Sequence, residues 1–267
     1  MIREWLERWL TPAERSVRHL GYVSEVVAIG ARERRHRTAW AAHLAATRAF
    51  VDALATGGEH LVVLGSGRLL DVPLETLAPR YARVTLVDCV HPRAARGRAA
   101  ALGHVVCHEA DVTGCVAALA RGGSTLPSPC RPTCLDALPP PTTTLSVNLL
   151  SQLPVMPLQR LEALGISTER QSTFGRALVD AHLAWLADLP GRTALITDVR
   201  REYRQGPAGA QLTELEDALH GARLPPPDAR WDWAVAPRGE IAPDLALSLV
   251  VHAWADWKRS ARLPGAA

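Results

Sequence analysis

Apolar positions fall into two regimes along the chain. Over residues 1–58 they recur at helical spacing. Trp5, Leu6, Trp9 and Leu10 form one stripe, and Trp40, Leu44, Thr47 and Val51 form another within a helix expected over 34–55. Thr11-Pro12 reads as an N-cap followed by proline in the first turn, and Gly57-Gly58 ends the segment. From His60 onward, short β-branched runs alternate with helical stretches. Strands are expected at 60–64, 83–90, 104–112, 142–149 and 193–198. Helices are expected at 72–81, with Asp71 as N-cap, and at 92–102 and 173–189.

That alternation implies an α/β fold with a mostly parallel, doubly wound sheet. The last two runs, 231–236 and 245–253, have only residues 237–244 between them. A parallel crossover needs about a dozen residues or more, so this pair is expected to be antiparallel. Residues 122–141 and 224–228 read as surface loops. The expected organisation is a helical lid or dimerisation segment, 1–58, ahead of an α/β domain, 59–267.

Composition narrows the chemistry. Of 30 basic residues only Lys258 is lysine. No lysine follows the glycine-rich segment, which excludes a P-loop nucleotide hydrolase. Schiff-base catalysis would fall to Lys258 alone. Net charge is +3, too small for the basic stripe of a dedicated nucleic-acid binder. The opening MIREWLERWL carries charges inside its apolar stretch, unlike a secretory signal, and no apolar run reaches the ~20 residues of a membrane span. Five cysteines without a signal suit reduced thiols, so a cytoplasmic location is expected. His104, Cys107, His108 and Cys115 lack the paired spacing of a zinc site, and no metal is expected.

The segment His60-Leu-Val-Val-Leu-Gly-Ser-Gly-Arg-Leu-Leu-Asp71 is a strand, a glycine turn and a helix start. Gly65 and Gly67 allow a ligand to approach the backbone closely. The third glycine of the dinucleotide fingerprint is absent, and Leu70 stands there. The next strand ends in Asp88, placed to accept from both hydroxyls of a ribose. The third ends in Glu109-Ala-Asp111-Val112, where Asp111 can accept from an adenine amino group and the following N–H can donate. Three such signals at successive strand ends match the switch-point rule for open α/β sheets.

The order Gly65-Ser66-Gly67, Asp88, Asp111, Asn148 and a terminal strand pair resembles the class I S-adenosylmethionine-dependent methyltransferases over about residues 60–255. The resemblance implies a Rossmann-like seven-stranded sheet with the last strand antiparallel, and S-adenosylmethionine as cofactor. It puts Gly65, Ser66 and Gly67 around the methionine part, Asp88 at the ribose, and Asp111 and Val112 at the adenine. Asn148 would lie beside the reactive methyl. The chain departs from the family at Val63, where an acidic residue is usual, and at Leu70. Its fourth-strand sequence, Val147-Asn-Leu-Leu-Ser-Gln152, differs from the Asn-Pro-Pro-Tyr type of enzymes that methylate amino groups on nucleic acid.

Each site residue also has a structural alternative. Asp88 can end its strand in solvent, Asp111 and Asp71 can cap helices, and Asn148 can be a hydrogen-bonded core residue. Tyr22, His36, His43, Asn148 and Tyr203 are candidate catalytic groups. Arg37, His43 and Gln152 are candidate contacts to a small-molecule substrate, anionic if Arg32–His43 forms a cationic lid. Trp5 and Trp9 on an exposed stripe would suit a homodimer interface. Two alternatives stay open beside methyl transfer: a nicotinamide-dependent oxidoreductase, and a non-catalytic methyltransferase-like partner subunit.

Overall fold

The computed structural model describes residues 2–122, 126–206 and 211–262. Part of the expected loop at 122–141 therefore lies outside the described residues. Four helices come first: α1 (Ile2–Leu10), α2 (Arg15–His19), α3 (Tyr22–Arg35) and α4 (Arg37–Leu54). The α/β part follows as β1 (Gly58–Leu64), α5 (Leu74–Leu77), β2 (Tyr81–Asp88), α6 (Arg93–Ala100), β3 (Val105–Glu109), α7 (Val116–Arg121) and β4 (Thr143–Val147). Then come α8 (Val155–Ala163), α9 (Thr168–Asp188), β5 (Arg192–Gln205), β6 (Gln211–Asp217), β7 (Ala229–Ala236), β8 (Leu245–Trp254) and α10 (Trp257–Ser260).

The sheet order is β3-β2-β1-β4-β5-β8-β7, with β6 beside the outer half of β5. The first five strands are mutually parallel, β8 is antiparallel to β5, and β7 is antiparallel to β8. Both faces are covered. Along β1, Leu61 and Val63 pack with α4, α5 and α6, while Val62 and Leu64 pack with α9 and α10. A strand buried on both faces reads as continuous apolar sequence, which is why Leu61–Leu64 does not alternate.

Four details differ from the sequence expectations. The sheet has eight strands rather than seven, because β5 runs on to Gln205 and pairs with β6. That extension is dense in charge; ion pairs such as Arg201–Glu216, at 2.8 Å, hold it instead of a core. Helix α8 fills a stretch with no sequence assignment. Helix α5 spans only Leu74–Leu77, and Asp71 does not cap it; Asp71 bonds to Asn148 across the sheet instead. Thr11 is no N-cap either, since its hydroxyl turns back to the Glu7 carbonyl and α2 begins at Arg15.

The N-terminal helices are packed onto the sheet. The Trp40 indole N–H donates to the Val235 carbonyl of β7 at 3.0 Å. The apolar stripe of α1 faces out, with Trp5 64% and Trp9 72% exposed. No described helix is long and apolar enough to cross a membrane.

Candidate active site

The strand order reverses at β1, which has β2 on one side and β4 on the other. Ligands of open α/β sheets bind at such a switch, beyond the carboxyl ends of the strands. Here the ends of β1, β2 and β4 open onto a cavity of about 240 Å³, roofed by residues of α3 and α4 that include Tyr22, Ile29, Trp40 and His43.

Gly65 turns the chain at the end of β1 with φ +78, and a Cβ there would lie 2.7 Å from the Val147 carbonyl oxygen. Only glycine fits that approach. The Gly67 N–H donates to Asp88 Oδ2 at 2.9 Å, which ties the turn to the end of β2. Asp88 lines the cavity. Burial raises its carboxyl pKa, opposed by the nearby His91 and by the N–H groups of Val90 and Gly67.

The Ser66 hydroxyl turns into the interior. Its Oγ lies 2.8 Å from His91 Nε2, and His91 Nδ1 lies 2.8 Å from Glu109 Oε1, which Arg96 also holds. A carboxylate accepts only, so Nδ1 carries a proton toward Glu109, while Nε2 is hydrogen-bonded to the Ser66 hydroxyl. This chain from β1 to β3 fixes the turn from behind, in a loop that lacks the usual third glycine. In front, Arg68 pairs with Glu7 of α1 and packs where a side chain on Gly30 would sit.

Asp111 is placed differently from the sequence expectation. It does not line the cavity; its oxygens accept from the N–H and hydroxyl of Thr113 (2.7 and 2.6 Å) and from the Val116 N–H (2.8 Å). It organises the loop into α7, and the neighbouring Val112 and Thr113 face the cavity in its stead.

At the β4 end Asn148 has φ +48, a strained backbone for a residue other than glycine. Its Nδ2 lies 2.6 Å from Asp71 Oδ2 and 3.4 Å from His43 Nε2, while its Oδ1 is buried without a partner. His43 is 1% exposed and stacks on Trp233 with ring centres 4.0 Å apart. Burial lowers its pKa to about 3, so the ring is neutral. Burial also raises the carboxyl of Asp71, against the Asn148 hydrogen bond. Gln152 lines the cavity nearby.

Tyr22 lines the cavity too, and burial, next to Cys89, Asp111 and Asp88, pushes its phenol far above its usual range. It is thus a donor rather than a base. Three sequence candidates lie elsewhere. His36 bonds to Glu240 at 2.7 Å, Arg37 faces solvent beside Glu33, and Tyr203 bonds to Glu216 between β5 and β6. None of the three lines the cavity. The guanidinium groups that do, Arg32 and Arg68, are ion-paired with Glu240 and Glu7. Asp71 and Trp233 were missed as site residues. One looks like a helix cap in sequence, the other like strand packing. Among the described residues no group of three or more His, Cys, Asp or Glu side chains could hold a metal. Burial raises the thiols of Cys115 and Cys134 to about 12 and about 11, so they stay protonated.

No family model matches the chain, and no curated protein does. Solved structures do. The complex of DhpI with SAH is 14% identical with a TM-score of 0.34, covering 85% of this chain and 94% of that one. The N-methyltransferase NodS from Bradyrhizobium japonicum WM9 is 16% identical with a TM-score of 0.33, covering 83% and 96%. The precorrin-6y C5,15-methyltransferase from Geobacter metallireducens GS-15 is 12% identical with a TM-score of 0.28, covering 78% and 87%. At this level of similarity the geometry of the chain itself has to carry the functional reading.

Proposed function

We propose that this chain transfers a methyl group from S-adenosylmethionine to a small molecule. The observation that carries the reading is one cavity at the β1/β4 switch point, into which the Gly65-Ser66-Gly67 turn and the Asp88 carboxylate both face. The residues present suit that cofactor. The Gly65-Ser66-Gly67 turn would lie along its amino-acid part, Asp88 would hold the ribose hydroxyls, and Val112 and Thr113 would flank the adenine. Asp71 and Asp88 line the cavity, and a cation beside them would offset the burial that raises their carboxyls, whereas both lining guanidinium groups are already paired. Such a lining favours a cation.

The same features argue against a nicotinamide dinucleotide. Its pyrophosphate needs free N–H groups at the start of the helix after the glycine turn. Here the Gly67 N–H is committed to Asp88, and the next helix, α5, has four residues and starts at Leu74.

When bound, the cofactor supplies an electrophilic methyl group on a cationic sulfur. The protein's part is to align acceptor and methyl in a dry enclosure, so proximity is the main source of rate. Ile29, Trp40, Leu44 and Trp233 give that enclosure apolar walls. Calorimetric titration with S-adenosylhomocysteine tests the reading. Binding to the wild-type chain, weakened ~100-fold in Asp88→Ala through loss of two charge-assisted hydrogen bonds, is the expected result. A folded wild-type chain that binds neither S-adenosylmethionine nor S-adenosylhomocysteine would refute it.

A further inference from the structure

A third carboxylate lines the cavity, and it is uncommitted. Glu25 lies in the first turn of α3, where a helix favours an acidic residue on any face. This one is half-buried and belongs to the cavity lining. Among the described residues its carboxylate has no hydrogen-bond or ion-pair partner. The other charged groups of the lining are all engaged. Asn148 holds Asp71, the Gly67 and Val90 N–H groups hold Asp88, Glu240 holds Arg32, and Glu7 holds Arg68.

The helical phase of α3 says which part of the cavity Glu25 serves. Residues four apart on a helix share an edge. The Glu25 N–H donates to the Gly21 carbonyl at 3.1 Å, so the two stand one turn apart on one edge. That edge faces α8, because a Cβ on Gly21 would lie 3.3 Å from Met156 Cε. Val26 and Gly30 mark the other edge, which faces the glycine turn. There Arg68 donates to the Val26 carbonyl at 3.4 Å, and its guanidinium fills the space beside Gly30. Glu25 is thus on the side away from the turn that the cofactor's amino-acid part would follow. The cavity wall on its own side is Gln152, Val155 and Met156, which carry no charge.

A ligand that fills this side strips water from the Glu25 carboxylate, and a buried charge without a partner is costly. A positive group on the ligand removes that cost and adds a charge-assisted hydrogen bond. We propose that Glu25 anchors a cationic group of the methyl acceptor, so that the substrate is a small molecule bearing an ammonium, amidinium or guanidinium group. The proposal rests on the methyl-transfer reading and names its substrate class. The anchored group is not the reacting one, since an ammonium nitrogen has no lone pair to give to a methyl carbon. The accepting atom is a second nucleophile of the same molecule. An anionic acceptor meets no unpaired cation among the described lining residues, because Arg32, Arg35 and His36 are all held by Glu240.

Calorimetry on the chain saturated with S-adenosylhomocysteine compares benzylammonium with its neutral counterpart, benzyl alcohol, and its anionic one, benzoate. The ring suits the apolar walls at Ile29 and Trp40, and the three probes differ mainly in charge. The wild-type chain is expected to bind benzylammonium ~10-fold more tightly than benzyl alcohol, the scale of one charge-assisted hydrogen bond, and benzoate least. Glu25→Gln keeps the shape and removes the charge. It should bind benzylammonium and benzyl alcohol alike, with its affinity for S-adenosylhomocysteine unchanged. Equal affinities in the wild-type chain, no binding of benzylammonium, or a preference kept by Glu25→Gln overturns the proposal. So does a loss of S-adenosylhomocysteine affinity in a Glu25→Gln chain that still melts cooperatively, because Glu25 would then serve the cofactor. If Glu25→Gln does not fold, Glu25→Ala decides. Failure of the wild-type chain to bind S-adenosylhomocysteine instead removes the methyl-transfer reading beneath it.

Discussion

The two ends of the cavity are built on opposite principles. At the glycine turn the polar side chains are partnered: Asp88 takes two backbone N–H groups, and Ser66, His91, Glu109 and Arg96 form a continuous chain behind it. At the β4 end, Asn148 is strained in backbone and short of a partner, and His43 presents its proton to another donor. Internal satisfaction makes a rigid seat, which suits the invariant part of a ligand pair. Unsatisfied groups mark where something else is to be met. Strain and unpaired atoms persist in a folded chain only where the surroundings impose them, and they concentrate at functional sites.

The difference can be broken from either side. The largest effect is expected for Gly65→Ala, because the new Cβ collides with the Val147 carbonyl at a φ of +78. It should lower stability by ~1–3 kcal/mol and abolish measurable S-adenosylhomocysteine binding, as read by thermal denaturation and calorimetry. His91→Leu cuts the chain behind the turn and leaves Ser66 and Glu109 short of a partner. It should cost ~1–3 kcal/mol in chemical denaturation, because the seat depends on internal bonds.

At the other end the expected sign is reversed with pH. A carboxyl such as Asp71, whose proton is held more tightly in the folded chain than in the unfolded one, favours folding when protonated. That favour is fully present below the unfolded value of 3.8 and is lost as pH rises through the higher folded value. Asp71→Asn should therefore gain melting temperature relative to wild type as pH rises above 3.8, measured by a melting series; a gap that narrows with rising pH would contradict the burial argument.

The smallest effect concerns the roof. Glu240, on the loop after β7, pairs with Arg32, Arg35 and His36, and these hydrogen bonds, with Arg35 foremost, lower its carboxyl to about 2. Glu240→Ala should cost ~1 kcal/mol at neutral pH, because the Arg32 and Arg35 guanidinium groups that hold it are themselves partly exposed. Because the folded pKa is depressed, the contribution exists above the unfolded value of 4.5 and fades as pH falls towards about 2. Denaturation of variant and wild type should converge in that window.

The seat was largely legible in the sequence. Gly65, Gly67, Asp88 and Asn148 announce themselves because each lies just past a β-branched run, where the chain direction alone puts it at the sheet's carboxyl edge. The β4 end was only half legible. His43 and Asn148 stand out as polar residues in apolar surroundings, yet their partners lie far away in sequence: Trp231 reaches His43 across 188 positions, and Asp71 reaches Asn148 across 77. Local pattern cannot pair such residues. For the same reason Asp71 looked like a cap, when its neighbours start no helix long enough to need one. Strand β6 escaped notice because Leu212 and Leu215 remain exposed and nothing apolar marks the strand.

The most direct measurement is a calorimetric titration of the wild-type chain with S-adenosylhomocysteine and, separately, with NADH. The account predicts one molecule of the sulfur nucleoside bound per chain and no heat from NADH. Binding of NADH with none of S-adenosylhomocysteine would contradict it, since the seat around Asp88 would then serve a pyrophosphate that its committed N–H groups give no means to hold.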